Sequence, residues 1–212
     1  MDLTRGTAVN RFVPKEKFYA KTAITTKLKQ LFTDEIEKIT WKNKISPDTL
    51  NITAGDYAEL QVFEIALKGA EVSTAVLKHI DTFIPYPILF IVKKPGAVKA
   101  VMSYKEITAK SSDVMKVDSY FDTGWRQELS LELKGRSVDE IYKNYLYQIA
   151  PQLQHVAHGT AKVAVETNKE HQKLQKQIDT INRQIAKEPA IAKKQELARE
   201  RFLIEQQMEN MV

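Results

Sequence analysis

Three side chains in the 212-residue chain have the types that metal-assisted hydrolysis uses: Glu64 in ELQVFEI, Asp81 in HIDTFIPYPILFIV and Lys105 in SYKE. Two carboxylates can hold a divalent cation that polarises a phosphodiester and activates water, while an ammonium offsets the charge that develops. A nuclease of the PD-(D/E)xK type needs an acid and a lysine together on one face of one strand, and neither ELQVFEI nor ILFIVKK supplies that. The plainer expectation is that Asp81 caps or bridges a helix end and that Glu64 pairs with a lysine at a sheet margin. Carboxylates more than about 8 Å apart, or on opposite faces of a sheet, could not share one metal.

Other chemistry is thinner. There are no cysteines, which excludes thiolate nucleophiles, disulfides and cysteine zinc sites. The seven glycines form no phosphate-binding or dinucleotide-binding loop, so nucleotide hydrolysis by this chain alone is not expected and no cofactor is implied. His155 and His158 share the i, i+3 spacing of one helical face but lack HExxH spacing and a third ligand, so no metal site is expected. His79 and His171 are solitary and read as surface or cap residues. PKEKFYAK and TWKNK interleave lysines with aromatics. Lys15, Lys17, Lys42 and Lys44 could hold phosphates while Phe18, Tyr19 or Trp41 stack on bases. Alternatively, the aromatics anchor an N-terminal arm to the core and leave the lysines in water.

The formal net charge of +5 is unevenly spread: +4 over residues 1–50, −1 over 51–154 and +2 over 155–212. No stretch is a dense basic block, so any contact with DNA is expected to be weak. No run approaches the roughly 18 apolar residues of a membrane span, and MDLTRGTAVNRF lacks the apolar core of a signal peptide. A cytoplasmic protein is the expectation.

The elements that position these residues follow from periodicity. Pro14 suggests an extended arm over residues 1–22. Ile24, Leu28, Leu31, Ile36 and Ile39 keep helical spacing and predict an amphipathic helix over 23–39, with Ser46-Pro47 as a stop. LNI (50–52) is a short strand candidate, and YAELQVFEIAL reads as an interior strand. Val76, Leu77, Ile80, Phe83 and Ile84 form the stripe of a helix over 73–84. Pro85 ends it and Pro87 launches the buried strand ILFIV. Gly96 turns that strand into AVKAVMSYKEI. VMKVDSYF and ELSLEL (128–133) alternate as strands, and Ser137 with Glu140 makes a capping box for a helix over 137–149. Leu174, Ile178, Ile181 and Ile185 carry the four-three-four seam of a coiled coil. After Glu188-Pro189, Ala192, Leu197, Ile204, Met208 and Met211 can form a returning stripe, so a helical hairpin is the expectation and a single kinked helix the alternative. The prediction is an α+β core over 1–152, with a mainly antiparallel sheet of four to six strands packed by helices, and a hairpin appendage over 160–212.

PKEKFY, LFTDEIEKITWKNKISPDTLNI, ELQVFEI, HIDTFIPYPILFIV, YKE (104–106) and YFDTGW (120–125) together resemble the motif series of domain of unknown function 4391, an uncharacterised bacterial and archaeal family. The matching positions include Lys15, Trp41, Pro47, Glu64, Asp81, Pro85, Tyr104, Lys105 and Trp125. The family carries no secure activity. Its members tend to be encoded beside helicases and DNA methyltransferases of restriction-like or phage-defence clusters, so the resemblance implies an accessory subunit with such a partner. The function expected is therefore non-catalytic, with Leu174, Ile178, Ile181 and Ile185 offered to the partner or to a second copy. A metal-dependent nuclease using Glu64, Asp81 and Lys105, and nucleic-acid binding by the basic N-terminal region, are the alternatives.

Overall fold

The computed structural model describes residues 3–19, 24–107, 115–154 and 160–211. The chain falls into two compact units, Met1–Ala150 and Pro151–Val212.

In the first unit, six strands lie side by side in chain order: β1 (Ala8–Phe12), β2 (Ile36–Ile45), β3 (Leu60–Leu67), β4 (Ile88–Lys94), β5 (Ala97–Ile107) and β6 (Met115–Asp122). All neighbours are antiparallel except β3 and β4, which run parallel. A parallel pair needs a crossover, and helix α2 (Thr74–Phe83) makes it. It ends at Ile84, where Pro85 biases its neighbour to extended geometry, and the apolar run after Pro87 becomes β4. Gly96, with φ of +71°, allows the two-residue turn into β5.

The predicted first helix is shorter than its apolar spacing suggests. Helix α1 spans Thr26–Glu35, with Thr25 Oγ1 accepting from Leu28 N–H at 3.2 Å, and the chain then becomes β2. The register of β2 against β3 slips between Ile36 and Lys38. That bulge turns Ile36 and Ile39, three residues apart, toward the same core, so a bulged strand reproduces helical spacing. Glu35 closes the helix by reaching the start of α2. Its carboxylate accepts the Ser73 N–H at 2.7 Å and the Ser73 hydroxyl.

Two further predicted strands do not form. LNI stays irregular, and only a single bridge joins the adjoining Thr53 to Ser137. ELSLEL runs extended beside helix α3 (Val138–Ile149), which is capped by Ser137 as predicted. Gln148 of α3 accepts the Glu132 N–H at 2.8 Å and donates to the Glu132 carbonyl at 2.9 Å, and Asn144 donates to the Lys134 carbonyl at 2.8 Å. Side-chain amides take the place of a neighbouring strand, and the inward leucines keep their alternation without a ladder.

The core is organised by alternation. Phe63, Ile65 and Leu67 of β3, Ile88, Phe90 and Val92 of β4 and Val101 of β5 meet Phe32 of α1 and Val76, Leu77 and Ile80 of α2 on one face. Residues between them point to the opposite face, which α3 covers along β5 and β6. The β2–β4 part of that second face carries the groove described below.

The second unit is a helical hairpin. Helix α4 (Ala161–Lys187) and helix α5 (Ile191–Glu209) pack together, and Pro189 lies in the break between them. None of the described helices is long and apolar enough to cross a membrane.

Candidate functional site

Asp81 and Lys105 meet. Lys105 Nζ lies 3.0 Å from Asp81 Oδ1, and both side chains are 0% exposed. The same ammonium donates to the carbonyls of Asp81 (2.8 Å), Ile84 (2.8 Å) and Tyr86 (2.6 Å). These oxygens belong to the last turn of α2 and the corner after it, where helical carbonyls have no intrahelical donor and Pro85 and Pro87 have no N–H to give. A cation also suits the negative end of the helix dipole. With its three hydrogens given to carbonyls, Lys105 meets Asp81 as a charge; Oδ1 accepts no hydrogen bond. Oδ2 accepts the Tyr120 hydroxyl at 2.5 Å. Burial pushes the Lys105 pKa down against the pull of Asp81, and burial and the carboxylate together push the Tyr120 phenol well up.

The backbone around Lys105 is equally committed. The ladder of β4 on β5 begins at Leu89 and Met102, so later residues of β5 have no β4 neighbour. Tyrosines fill the gap: the Lys105 N–H donates to Tyr142 Oη (2.8 Å), Tyr142 donates to the Ser103 carbonyl (2.9 Å), and Tyr57 donates to the Lys105 carbonyl (2.6 Å). Asp139 holds Tyr57 in turn, accepting the N–H groups of Asp56 and Tyr57 at 2.9 and 3.0 Å. This cluster fixes the helix-to-strand corner, with the Asp81 and Lys105 side chains fully buried in it.

Glu64 is not part of it. On β3 it alternates with Phe63 and Ile65, faces away from α2, and pairs with Lys93 at 2.6 Å. The three residues proposed for metal chemistry therefore stand on two faces of the sheet. No group of three or more His, Asp or Glu placed to hold a metal occurs among the described residues.

The four lysines weighed for nucleic acid are dispersed. Lys15 donates to the Ile36 carbonyl at 2.8 Å, Lys44 pairs with Glu59 at 2.5 Å, Lys17 is exposed, and Lys42 faces the groove. The aromatics beside them serve the core: Phe18 packs on Phe32 with centroids 6.3 Å apart, and Trp41 stacks on Phe63 at 6.4 Å. His79 hydrogen-bonds the Phe18 carbonyl at 2.5 Å and so ties the arm to α2. His171 is exposed, whereas His155 and His158 lie outside the described residues. Trp125 donates to Glu71, and Lys94 and Lys99 lie 4.0 and 4.7 Å from its ring centroid. Hydrogen bonds from Lys99 and Trp125 hold the Glu71 carboxyl below its ordinary pKa.

The groove lies on the second face of the sheet and encloses about 790 Å³. Its floor includes Val62, Glu64, Ile91 and Lys93. Arg5, Asn10 and Lys42 line it from the β1–β2 side, and Gln127 and Glu128 from the segment after β6. Asn10 has φ of +49° where the register of β1 slips against β2. Asn tolerates this left-handed geometry better than most residues.

In the hairpin, Leu174, Ile178 and Ile181 are buried and Ile185 is half-buried. Leu197, Ile204 and Met208 of α5 and Met211 just beyond it are half-buried, while Ala192 is exposed. The predicted seam is thus enclosed within the chain. Ile191 (74% exposed), Phe202 (57%) and Leu203 (68%) remain in solvent on α5.

Sequence reasoning singled out neither Tyr57, Tyr142 and Asp139 around the corner nor Arg5, Gln127 and Glu128 around the groove. Tyr120 stood in YFDTGW without a role. A family model described as a domain of unknown function (DUF4391) matches residues 1–207. No curated protein and no solved structure matches the chain.

Proposed function

From the premise that the chain belongs to the DUF4391 family, we propose that it is a non-catalytic interaction subunit of a DNA-directed assembly of the restriction or phage-defence kind. It acts in the cytoplasm and binds a helicase or DNA methyltransferase through its C-terminal hairpin. The observation that carries this reading is the solvent-facing apolar set on α5, Ile191, Phe202 and Leu203. The seam first expected to meet the partner, Leu174, Ile178, Ile181 and Ile185, is occupied by the hairpin's own packing, so the contact moves to α5. Fully burying one such side chain contributes about 1.5–3 kcal/mol, so three give about 4.5–9 kcal/mol, which offsets much of the cost of association and leaves the rest of the affinity to neighbouring contacts. The full burial of the Asp81 and Lys105 side chains supports the non-catalytic part of the reading.

Co-purification of the tagged full chain with a co-expressed helicase or methyltransferase from the same gene cluster tests it. Phe202→Asp with Leu203→Asp should abolish recovery of the partner while leaving circular dichroism unchanged. Equal recovery by that double variant, or by a chain ended near residue 160, would overturn the proposal. Sedimentation of the chain alone distinguishes a second copy of itself as the occupant of this surface.

A further inference from the structure

We propose that the groove on the second face of the sheet binds a mononucleotide, with its phosphate at Arg5 and Lys42 and its base edge at Gln127 and Glu128. This is independent of the hairpin's partner. A volume of about 790 Å³ lies within the roughly 300–1,000 Å³ of small-molecule sites. The strand order puts the two ends of the groove apart: Lys42 is on β2 beside β1, whereas Gln127 and Glu128 follow Arg126, which bridges to Val98 of β5. Val98 pairs with Lys93 of β4 on its other side, so from β2 to the segment after Arg126 are four strand spacings of about 4.8 Å each, a backbone distance of roughly 19 Å that one nucleotide and a long side chain from each end would fill.

The two ends make opposite demands on a ligand. Arg5 and Lys42 have no carboxylate partner among the described residues, unlike Lys93, which Glu64 neutralises. Guanidinium and ammonium groups left unpaired in a concave site suit a phosphate, and Asn10 adds an uncharged side-chain amide to the same wall. At the far end, a carboxylate accepts N–H groups and an amide both donates and accepts. A purine or pyrimidine edge offers these groups, and an inorganic anion does not. Guanine fits the carboxylate best, since its N1–H and amino group lie side by side as donors. Between the ends, Val62 and Ile91 give an apolar floor for sugar and ring.

Among the described residues no aromatic ring lines the groove, so they supply no base-stacking platform of the kind that single-strand binders use. That favours a single nucleotide over an oligonucleotide. No glycine-rich loop cradles the phosphate, so charged side chains must supply that end of the affinity.

Isothermal titration of the full chain with guanosine, adenosine, cytidine and uridine monophosphates, inorganic phosphate and a ten-nucleotide single strand tests the inference. Guanosine monophosphate should bind, and Arg5→Ala with Lys42→Ala should weaken it at least tenfold. Glu128→Gln should reduce the preference for guanosine over uridine monophosphate while leaving the weaker binding of inorganic phosphate unchanged. Absence of nucleotide binding at millimolar concentration would overturn the proposal, as would unchanged affinity in the Arg5/Lys42 variant. Equal affinity for guanosine and uridine monophosphates would overturn the base-edge assignment. An oligonucleotide binding tenfold tighter than any mononucleotide would make the groove a strand-binding surface and overturn the ligand class.

Discussion

Lys105→Met keeps most of the volume of the buried stem and removes the ammonium. Three carbonyl oxygens, those of Asp81, Ile84 and Tyr86, then lose a donor, and the Asp81 carboxylate keeps only the Tyr120 hydroxyl. Breaking a buried pair from one side costs about 3–5 kcal/mol, and each orphaned carbonyl that water does not reach adds about 1–3 kcal/mol. The two costs overlap because they arise at one atom, so a loss of about 4–5 kcal/mol is expected, a large share of a domain's ~5–15 kcal/mol. Asp81→Asn alone should cost less, about 2–3 kcal/mol, because Lys105 keeps its three carbonyl acceptors. In the double variant no buried charge is left. Its destabilisation should therefore fall short of the sum of the single variants by about 2 kcal/mol. Urea denaturation followed by tryptophan fluorescence reports this directly, since Trp41 and Trp125 both lie in the first unit. A loss below about 1 kcal/mol for Lys105→Met, or additivity within about 0.5 kcal/mol, would refute the view that this pair and its carbonyls form one unit.

Two further outcomes follow from the same architecture. Burial raises the phenol pKa values of Tyr57, Tyr120, Tyr142 and Tyr145 above the ordinary 10.0. The unfolded chain releases these protons first, so their contribution to stability is complete below pH 10 and declines above it by about 1.4 kcal/mol per tyrosine per pH unit. The lowered pKa of Lys105 acts with the opposite sign, one group against four. The urea midpoint should drop steeply between pH 10 and 11, together with a rise in tyrosinate absorbance; a flat midpoint would contradict the assignment. Glu35→Ala removes the acceptor of the Ser73 N–H and hydroxyl at the start of α2. It should cost about 1–2 kcal/mol in thermal unfolding, and no change in melting temperature would show that water replaces the carboxylate.

The helix-to-strand corner was legible in the sequence because two prolines act locally: Pro85 stops α2 whatever surrounds it. The capping box at Ser137 and the hairpin break at Pro189 were legible for the same reason. Where a pattern depends on a partner, reading failed. Ile36 and Ile39 share a face through a bulge that exists only in the pairing with β3, and their spacing imitates a helix. Leu129, Leu131 and Leu133 alternate like a strand, yet the groups bonding that segment's backbone are the amides of Asn144 and Gln148. At the sites, type and spacing brought Asp81 and Lys105 forward but grouped them wrongly with Glu64, since which face a residue occupies follows from strand register. The groove carried no sequence signal, because its lining comes from five separated stretches with no common period.

The left-handed residue in β1 has a consequence for how the molecule avoids unwanted association. β1 is an edge strand of five residues, and a free edge is a template for strand addition and aggregation. The register slip at Asn10 breaks the run of backbone groups there, and the solvent-exposed Arg11 next to it sets a charge on that edge. A second chain therefore finds no straight ladder to extend along β1.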